Sequence, residues 1–368
     1  MIPREQIIAN QARRLGFTLA GVTPIEALPR GDFLQRWIAE GRAGEMRYLE
    51  RRSAQRLDPR VVYPWARAII VLAFPYAPPP PPRDDWRITL RGRIAAYALG
   101  PDYHDYVQVA LDRLAAQLRE IFPGSRHLTY VDTGPVLERE WATRAGLGWM
   151  GKHTLLLSRD EGSYFFLGEL LTDLELDALP LPTDHCGTCR RCVDACPTGA
   201  LDGDYTMDPR RCISYLTIEH RSAIPPALRP AMSNWIFGCD LCQVACPWND
   251  APPPPDGEPS HFPRLPMLLA LDDTAFAAQF RGTALLRPGR RGLLRNACVA
   301  LGNTGNPAAA GPLTGALHDA EPLVRGHAAW ALGRLGDAAG RRPLEQAHAT
   351  EPDPDVRSEI SAALESGA

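Results

Sequence analysis

The sequence predicts an α+β fold built from three segments, residues 1–180, 181–250 and 251–368. In the first segment, short apolar runs typical of strands alternate with patterns typical of helices, which indicates an α/β domain. Eight of the nine cysteines then lie between residues 186 and 246. The last segment repeats an apolar helical pattern. Together these three observations give the predicted domain order.

Strand and helix patterns follow one another in the first segment. Residues 68–74 form a continuous apolar run, which predicts a buried strand, and residues 102–122 carry apolar side chains at helical spacing, Val109 among them. Five consecutive prolines at 78–82 exclude a helix or a central strand and predict an extended loop. Further strand-like runs lie at residues 127–132, 154–157 and 164–171.

Composition narrows the class of protein. The net charge of −3 gives no overall basic signature of nucleic-acid binding, although one positive face is enough for phosphate contacts. The pair Arg13-Arg14 is not followed by an apolar export segment, and no run is long enough to cross a bilayer. We therefore expect a cytoplasmic protein without a membrane partner. Thiols stay reduced in the cytoplasm, so clustered cysteines there indicate metal binding.

The cysteine spacing is typical of iron–sulfur loops. One run reads C-x2-C-x2-C-x3-C-P and a second reads C-x2-C-x3-C-P, and Cys212 lies between them. In two-cluster ferredoxins, the last cysteine of such a run ligates the other cluster. We therefore predict a ferredoxin-like segment with two [4Fe–4S] clusters. The predicted ligands are Cys186, Cys189, Cys192 and Cys246 for one cluster, and Cys196, Cys212, Cys239 and Cys242 for the other.

Zinc is the alternative for paired C-x2-C motifs. A zinc ribbon uses four ligands in all and would leave half of these cysteines unused, so the spacing favours the clusters. The ninth cysteine, Cys298, lies on an apolar helical face, where we expect it to pack in a core.

The third segment contains an internal repeat. Residues 294–302 resemble residues 324–333, and a weaker third copy begins at Val356. The copies are 30 to 32 residues apart, and the first two carry an arginine near the start and a glycine at the end. This pattern predicts HEAT-like helical repeats. The proline run at 252–255 predicts a linker before them.

Lysine is almost absent from the chain. Arginine supplies 39 of the 40 basic residues, and the single lysine is Lys152. A general bias toward arginine explains most of this pattern. The one exception indicates a position that needs a compact ammonium group instead of a guanidinium group.

Six further segments carry a resemblance to a known family. They are YALGPDYH (97–104), VDTGPVLER (131–139), AGLGWMGKH (145–153), GELL (168–171), RCISYLTIE (211–219) and FGCDLC (237–242). With these segments, the chain resembles the epoxyqueuosine reductases over nearly its whole length. The resemblance implies a cobalamin-dependent oxidoreductase that reduces epoxyqueuosine to queuosine at the wobble position of tRNA, the last step of queuosine synthesis. It also implies that two [4Fe–4S] clusters recharge a cobalamin to which the protein gives no cobalt ligand.

The resemblance implies that Asp132 is the proton donor. Opening an epoxide leaves an alkoxide that must be protonated, so we expect burial or a nearby negative charge to raise the pKa of Asp132. Contacts to cobalamin are implied at Arg56, Asp132, Lys152, His153, Leu156, Leu167, Ser214, Cys239 and Asp240. Contacts to the tRNA anticodon stem-loop are expected at His220, Arg221, Arg290, Arg291, Arg295 and Arg325. We also expect a monomer that takes electrons from a low-potential donor such as ferredoxin or flavodoxin.

Two other functions compete with this interpretation. Reductive dehalogenases also combine cobalamin with two clusters, but they usually carry an export signal and lack a helical-repeat tail. A non-catalytic electron-transfer adaptor would use the clusters and the repeats. It would leave the first segment and the turn at Asp132 without a purpose.

Overall fold

A computed structural model describes residues 2–26, 28, 31–79, 84–250 and 262–366. The prolines at 80–82 and 252–255, predicted to form a loop and a linker, lie outside these residues. The strands are β1 (Leu19–Pro24), β2 (Ala68–Pro75), β3 (Arg93–Ile94), β4 (His127–Tyr130), β5 (Trp149–Met150), β6 (Leu156–Leu157), β7 (Phe165–Thr172) and β8 (Trp235–Phe237).

The helices are short up to residue 250 except for α1 and α6, and they lengthen in the repeats. They are α1 (Arg4–Arg14), α2 (Gly31–Ala39), α3 (Arg47–Arg51), α4 (Ser53–Leu57), α5 (Trp86–Thr89), α6 (Tyr103–Ile121), α7 (Glu138–Arg144), α8 (Arg191–Asp194), α9 (Ile213–Ile218), α10 (Leu241–Val244), α11 (Leu265–Leu269), α12 (Asp273–Gln279), α13 (Gly289–Gly302), α14 (Ala310–Ala316), α15 (Pro322–Leu335), α16 (Asp337–Thr350) and α17 (Pro354–Ser366). None of the helices in the described part of the chain is both long and apolar enough to cross a membrane.

The chain divides into two compact units, and both draw on separate parts of the sequence. Unit 1 consists of Met1–Pro78, Gly100–Pro209 and Leu241–Pro252, and unit 2 consists of Pro79–Leu99, Arg210–Asp240 and Pro253–Ala368. The cysteine-rich region therefore contributes to both units. The segment boundaries that we derived from composition stay a prediction.

Unit 1 is built around a four-stranded sheet with the order β1-β2-β7-β4, in which every neighbouring pair is antiparallel. The apolar run of β2 is buried from Ala68 to Ala73 because it lies in the middle of the sheet with both faces covered. Val71 of β2 lies opposite Gly21 on one side and Glu169 on the other. A glutamate thus lies in the centre of this sheet, among apolar neighbours.

Helix α6 brings polar side chains of its first turn to the edge of unit 1. Asp102 caps the helix by accepting the backbone N–H of His104 at 3.1 Å. The buried face comprises Val107, Ala110, Leu111, Leu114, Ala115 and Leu118. Val109, one of the apolar residues at helical spacing, lies away from that face and is 49% exposed. It is two residues from both Val107 and Leu111, and two residues along a helix turn a side chain by about 200°.

Unit 2 contains the helical repeats. Helix α13 packs against α15, and α15 packs against α17, so the repeated segments form successive layers. Cys298 of α13 is fully buried in this core, as its apolar surroundings in the sequence indicated. With the sheet of unit 1, these layers confirm the predicted α+β class with a helical-repeat tail.

The prediction that Arg295 contacts phosphate is wrong, because its side chain is 0% exposed. Its guanidinium group donates to the backbone carbonyls of Leu216, His220 and Ser222 at 2.6–2.8 Å. It also donates to the side-chain oxygen of Asn296. Arg295 therefore fastens α13 to the loop after α9. The sequence could not reveal this, because an inward-facing and an outward-facing arginine occupy similar places in a helical repeat.

Two more arginines proposed for tRNA contact are engaged inside unit 2. Arg325 forms a bidentate ion pair with Glu351 at 2.7–2.8 Å, and only 13% of its side chain is exposed. Arg290 pairs in the same way with Asp319. These carboxylates occupy the guanidinium forks that a phosphate would need. Their contact with tRNA stays a prediction, which would require these ion pairs to open or to be shared with a phosphate.

The role of Arg295 leads to a stability prediction. Replacing Arg295 with methionine is expected to lower the free energy of unfolding by about 3–5 kcal/mol, because it removes a fully buried guanidinium group that donates to three backbone carbonyls, one of them buried. Urea unfolding followed by circular dichroism measures the change. Arg291→Met is the matched control: the side chain of Arg291 is 50% exposed, so a loss below about 0.5 kcal/mol is expected. Equal losses in the two variants would contradict the structural role.

Candidate functional site

A strained turn presents Asp132 after strand β4. Its φ of +55° lies in the left-handed region, which aspartate tolerates better than most residues. The backbone N–H of Asp132 donates to Oε1 of Glu138 at 2.8 Å. The guanidinium group of Arg56 lies 3.4–3.5 Å from the carbonyl oxygens of Gly134 and Val136. Side chains from α4 and α7 thus hold the turn on both sides.

The first turn of α6 contacts the carboxyl group of Asp132. The hydroxyl of Tyr103 donates to Oδ2 of Asp132 at 2.9 Å, and Nε2 of His104 lies 3.7 Å from the same oxygen. On its other side, Nδ1 of His104 lies 2.7 Å from Oδ1 of Asp102. The imidazole ring is therefore placed between two carboxylates. This arrangement favours a doubly protonated ring.

The pKa values of this group differ from our expectation. Contact with His104, and then with Tyr103, lowers the pKa of Asp132, although loss of surrounding water acts in the opposite direction. The predicted rise was wrong, because the sequence did not show that α6 begins beside this turn. Contact with Asp132 in turn raises the pKa of His104 to about 9. At neutral pH, the proton of this pair lies on the imidazole.

Two glutamates beneath the turn form a buried carboxyl pair. Glu169 of β7 is fully buried, and within the described part of the chain its carboxyl group interacts with that of Glu138 and with no N–H or hydroxyl donor. Burial, followed by the charge of Glu138, raises the pKa of Glu169 well above its usual range. Burial, followed by the charge of Asp132, raises the pKa of Glu138 to about 8. The pair therefore retains a proton at neutral pH. A glutamate inside the apolar run at 164–171 was a signal that our sequence analysis overlooked.

Lys152 holds a cysteine loop. Its ammonium group donates to the backbone carbonyls of Gly187 at 2.6 Å and Cys189 at 3.1 Å. A compact ammonium group with three donors suits two carbonyls that converge on one point. This contact gives a physical reason for the only lysine of the chain.

Four cysteines line a cavity of about 330 Å³ in unit 1. They are Cys186, Cys189, Cys192 and Cys246, and His153, His185 and Trp248 also line the cavity. Burial, followed by the neighbouring thiols, raises the pKa of Cys246 to about 11. The structure thus places a cysteine of the second motif beside three of the first.

Four thiols beside one cavity match the number of ligands that one [4Fe–4S] cluster takes. Among the described residues, no three His, Cys, Asp or Glu side chains form a group that could hold a single metal ion. A zinc site requires its thiolates around a single ion, whereas a cubane places each thiolate at a separate corner. The other four predicted ligands are divided: Cys196 and Cys242 belong to unit 1, and Cys212 and Cys239 belong to unit 2.

Comparison with known protein families identifies three regions of the chain. The family described as Epoxyqueuosine reductase QueG, DUF1730 matches residues 56–133. A 4Fe-4S double cluster binding domain matches residues 185–249, and HEAT repeats match residues 283–365. The match to the double-cluster domain covers all eight cysteines of the two motifs.

Comparison with individual proteins extends the match to most of the chain. The epoxyqueuosine reductase of Alicycliphilus denitrificans is 41% identical over 354 residues, which cover 90% of this chain and 97% of that protein. The chain belongs to the epoxyqueuosine reductase family. The Escherichia coli K12 reductase is 38% identical over 345 residues, which cover 89% of this chain and 88% of that protein.

Solved structures of epoxyqueuosine reductases have the same fold. One was crystallised with an epoxyqueuosine-modified stem-loop of tyrosine tRNA; it is 30% identical, with a TM-score of 0.89 and 98% coverage of each chain. A second structure is that of the Bacillus subtilis enzyme with its catalytic aspartate loop swung out of the active site. It is 30% identical to this chain and has a TM-score of 0.88. The match covers 99% of this chain and 98% of that one. These likenesses confirm the predicted fold class.

The remaining positions implied for cobalamin lie in different environments. Leu156 and Leu167 pack with the apolar core of unit 1. His153 lines the cysteine cavity. In unit 2, Asp240 is buried and accepts the backbone N–H of Ala96 at 2.8 Å, and burial raises its pKa to about 6. Ser214 lies on α9, where its carbonyl accepts the hydroxyl of Thr217.

Three residues expected to contact tRNA lie together in unit 2. Arg291 donates to the carbonyl of Arg221 at 3.0 Å, and Arg221 donates to the carbonyl of Arg287 at 2.8 Å. His220 precedes Arg221 and contacts the carbonyl of Ala223. Arg221 and Arg291 form a basic pair at this surface, which we call the arginine pair.

Proposed function

We propose that this chain reduces the epoxide of epoxyqueuosine in tRNA to the alkene of queuosine. The reaction takes up two electrons and two protons and releases water. The observation that carries the proposal is the combination, within unit 1, of the Asp132 and His104 pair with a cysteine-lined cavity. Arg139 of α7 donates to the carbonyl of Thr154, the residue after His153, which lines the cavity.

The residues around Asp132 fit a large polar cofactor such as cobalamin. The side chain of Asp132 is 61% exposed, so its carboxyl group is accessible to a bound molecule. Arg56 contributes a buried Nε that finds no acceptor among the described residues. A corrin carboxamide would satisfy this donor. When bound, cobalamin would supply low-valent cobalt as the reductant of the epoxide.

The cysteine cavity fits the first of two [4Fe–4S] clusters, with Cys186, Cys189, Cys192 and Cys246 as its proposed ligands. We assign Cys196, Cys212, Cys239 and Cys242 to the second cluster by the spacing of the two motifs. Bound clusters would supply single electrons at low potential. We propose that the electrons come from a ferredoxin or a flavodoxin.

The polar residues of unit 1 supply the protons. His104 holds a proton at Nε2, which faces Oδ2 of Asp132, and Asp132 presents that proton to the oxygen of the opened epoxide. The hydroxyl of Tyr103 fixes the carboxyl group in place. The pair formed by Glu138 and Glu169 holds a second dissociable proton beneath the turn. The site thus holds dissociable protons in both places, and the reaction consumes two protons.

Anaerobic reconstitution tests the proposed function. Protein loaded with iron, sulfide and cobalamin is mixed with a low-potential reductant and tRNA that carries epoxyqueuosine. Nucleoside mass spectrometry is expected to show conversion to queuosine. Unchanged epoxyqueuosine, with protein that contains about eight irons per chain and bound cobalamin, would disprove the proposal.

The proton held by His104 leads to a prediction of pH dependence. Because its pKa is raised to about 9, the imidazole is protonated below that pH and loses its proton as the pH rises through it. We expect kcat/KM to be level near neutral pH and to fall tenfold per pH unit above about 9. His104→Gln is expected to be slower and to lack this alkaline limb. A limb unchanged in His104→Gln would assign it to another group.

We propose that the arginine pair binds the phosphates of the tRNA anticodon stem-loop. The double variant Arg221→Ala, Arg291→Ala is expected to weaken stem-loop binding and to reduce the slope of log K against log salt by about 2. Fluorescence anisotropy across a range of salt concentrations measures both quantities. Arg14→Ala, which removes an exposed arginine of α1, is the control and should leave the slope nearly unchanged. An unchanged slope in the double variant would exclude these contacts.

We further propose that the protein acts as a monomer in the cytoplasm. The reaction uses tRNA as its substrate, and the proposed cluster ligands must remain reduced thiolates. Sedimentation of the cluster-loaded protein, with and without the stem-loop, tests the proposed stoichiometry of one chain per tRNA.

A further inference from the structure

His153 carries its proton on a defined nitrogen. Its Nδ1 accepts the backbone N–H of Leu155 at 3.1 Å, so this nitrogen must present a lone pair. In a neutral imidazole, the other nitrogen then bears the hydrogen. Nε2 of His153 is therefore an N–H donor.

This donor is buried without an acceptor in the protein. His153 is 3% exposed, and Nε2 has no hydrogen-bond partner among the residues that the structure describes. A buried donor left unsatisfied costs about 1–3 kcal/mol, so such groups are rare unless another molecule accepts the bond. His153 lines the cavity surrounded by Cys186, Cys189, Cys192 and Cys246.

The local backbone fixes the imidazole in this position. Residue 151 is a glycine, and a Cβ atom there would lie 2.8 Å from Cε1 of His153. Thr154, which follows the histidine, has a φ of +66°, a strained conformation for a β-branched residue. On the other side, Lys152 binds the loop of Cys189. The sequence Gly-Lys-His thus leaves room for the ring and joins its backbone to the cysteine loop.

We infer that Nε2 of His153 donates a hydrogen bond to a sulfur atom of the [4Fe–4S] cluster proposed for this cavity and raises the reduction potential of that cluster. The inference rests on the proposed cluster assignment and is independent of the reaction with tRNA. The hydrogen bond stabilises the reduced cluster more than the oxidised one, because the reduced cluster carries one more negative charge. His153 thus acts on the reaction indirectly, by setting the reduction potential of the cluster. This role differs from the cobalamin contact that the family resemblance implied.

Potentiometric titration followed by electron paramagnetic resonance tests this inference. His153→Phe removes the donor and keeps a planar ring, and His153→Gln keeps an N–H donor at a similar reach. We expect His153→Phe to lower one of the two midpoint potentials, with the other unchanged, and His153→Gln to stay closer to the wild type. Wild-type potentials in a His153→Phe protein with about eight irons per chain would overturn the inference.

A second measurement decides the question if His153→Phe fails to fold or loses its iron. Protein grown with 15N-labelled histidine is reduced and examined by pulsed electron paramagnetic resonance. The wild type is expected to show a 15N coupling to a reduced cluster, and His153→Gln is expected to lose it. The comparison is needed because His185 also lines the cavity. A coupling that is unchanged in His153→Gln, or is absent from the wild type, would overturn the inference.

Discussion

Cys246→Ala is expected to abolish turnover and to lower the iron content from about eight to about four per chain. Cys246 is buried beside three cysteines of the first motif, although it lies 54 residues after Cys192 in the sequence. Its removal leaves three thiolates around the cavity. A cluster with an open corner is not retained, so its four irons are lost and the proposed electron path is interrupted.

The design of this experiment separates loss of a ligand from loss of the fold. Cys298→Ala is the matched control, since Cys298 is as deeply buried but lies in the core of the helical repeats. We expect it to keep its iron and its turnover at a stability cost of about 1 kcal/mol. Iron analysis and electron paramagnetic resonance measure the number of irons and the cluster signals of both variants. Full iron and turnover in Cys246→Ala would show that the exchange of cysteines between the motifs is wrong.

Local patterns in the sequence predicted much of this fold. The apolar run of β2 and the repeated helices of unit 2 depend on neighbours within one element, so their spacing predicted them. The cysteine motifs could also be predicted from local spacing, because one short loop supplies the ligands for three corners of a cubane. The strand-like run at 154–157 was predicted too long, and only Leu156–Leu157 pairs with another strand.

Contacts between distant parts of the chain could not be predicted from such local patterns. His104 meets Asp132 only because Asp102 caps α6 at the edge of the sheet, and this contact reverses the expected pKa shift of Asp132. Arg295 has the sequence context of a surface arginine, yet three carbonyls from the α9 region bind it. The direction in which a polar side chain points depends on partners that a single segment does not contain.

The buried glutamate pair shows what a closer reading of the sequence could have found. Glu169 interrupts an apolar strand whose neighbours are fully buried, and a charge in that position is rarely left without a function. Its partner Glu138 accepts the backbone N–H of Asp132. The pair joins the core of the sheet to the turn that carries the proposed proton donor.

Asp132→Asn is expected to lower kcat by about 100-fold to 10,000-fold without loss of iron, because an amide cannot pass a proton to the opened epoxide. The fold should persist. Asparagine tolerates a positive φ as aspartate does, and its side-chain oxygen can still accept the hydroxyl of Tyr103. The pKa of His104 should fall, because contact with Asp132 is the largest cause of its rise.

Asp102→Asn distinguishes proton transfer from a general electrostatic effect on His104. Asp102 also raises the pKa of His104, and asparagine caps a helix as well as aspartate does. Asp102→Asn should therefore move the alkaline limb to lower pH, with kcat near neutral pH within about tenfold of the wild type. Single-turnover rates of both variants across pH give the comparison. If Asp132→Asn were no slower than Asp102→Asn at neutral pH, the carboxyl group of Asp132 could not be the donor, and the proton would have to reach the substrate from Tyr103 or from His104 directly.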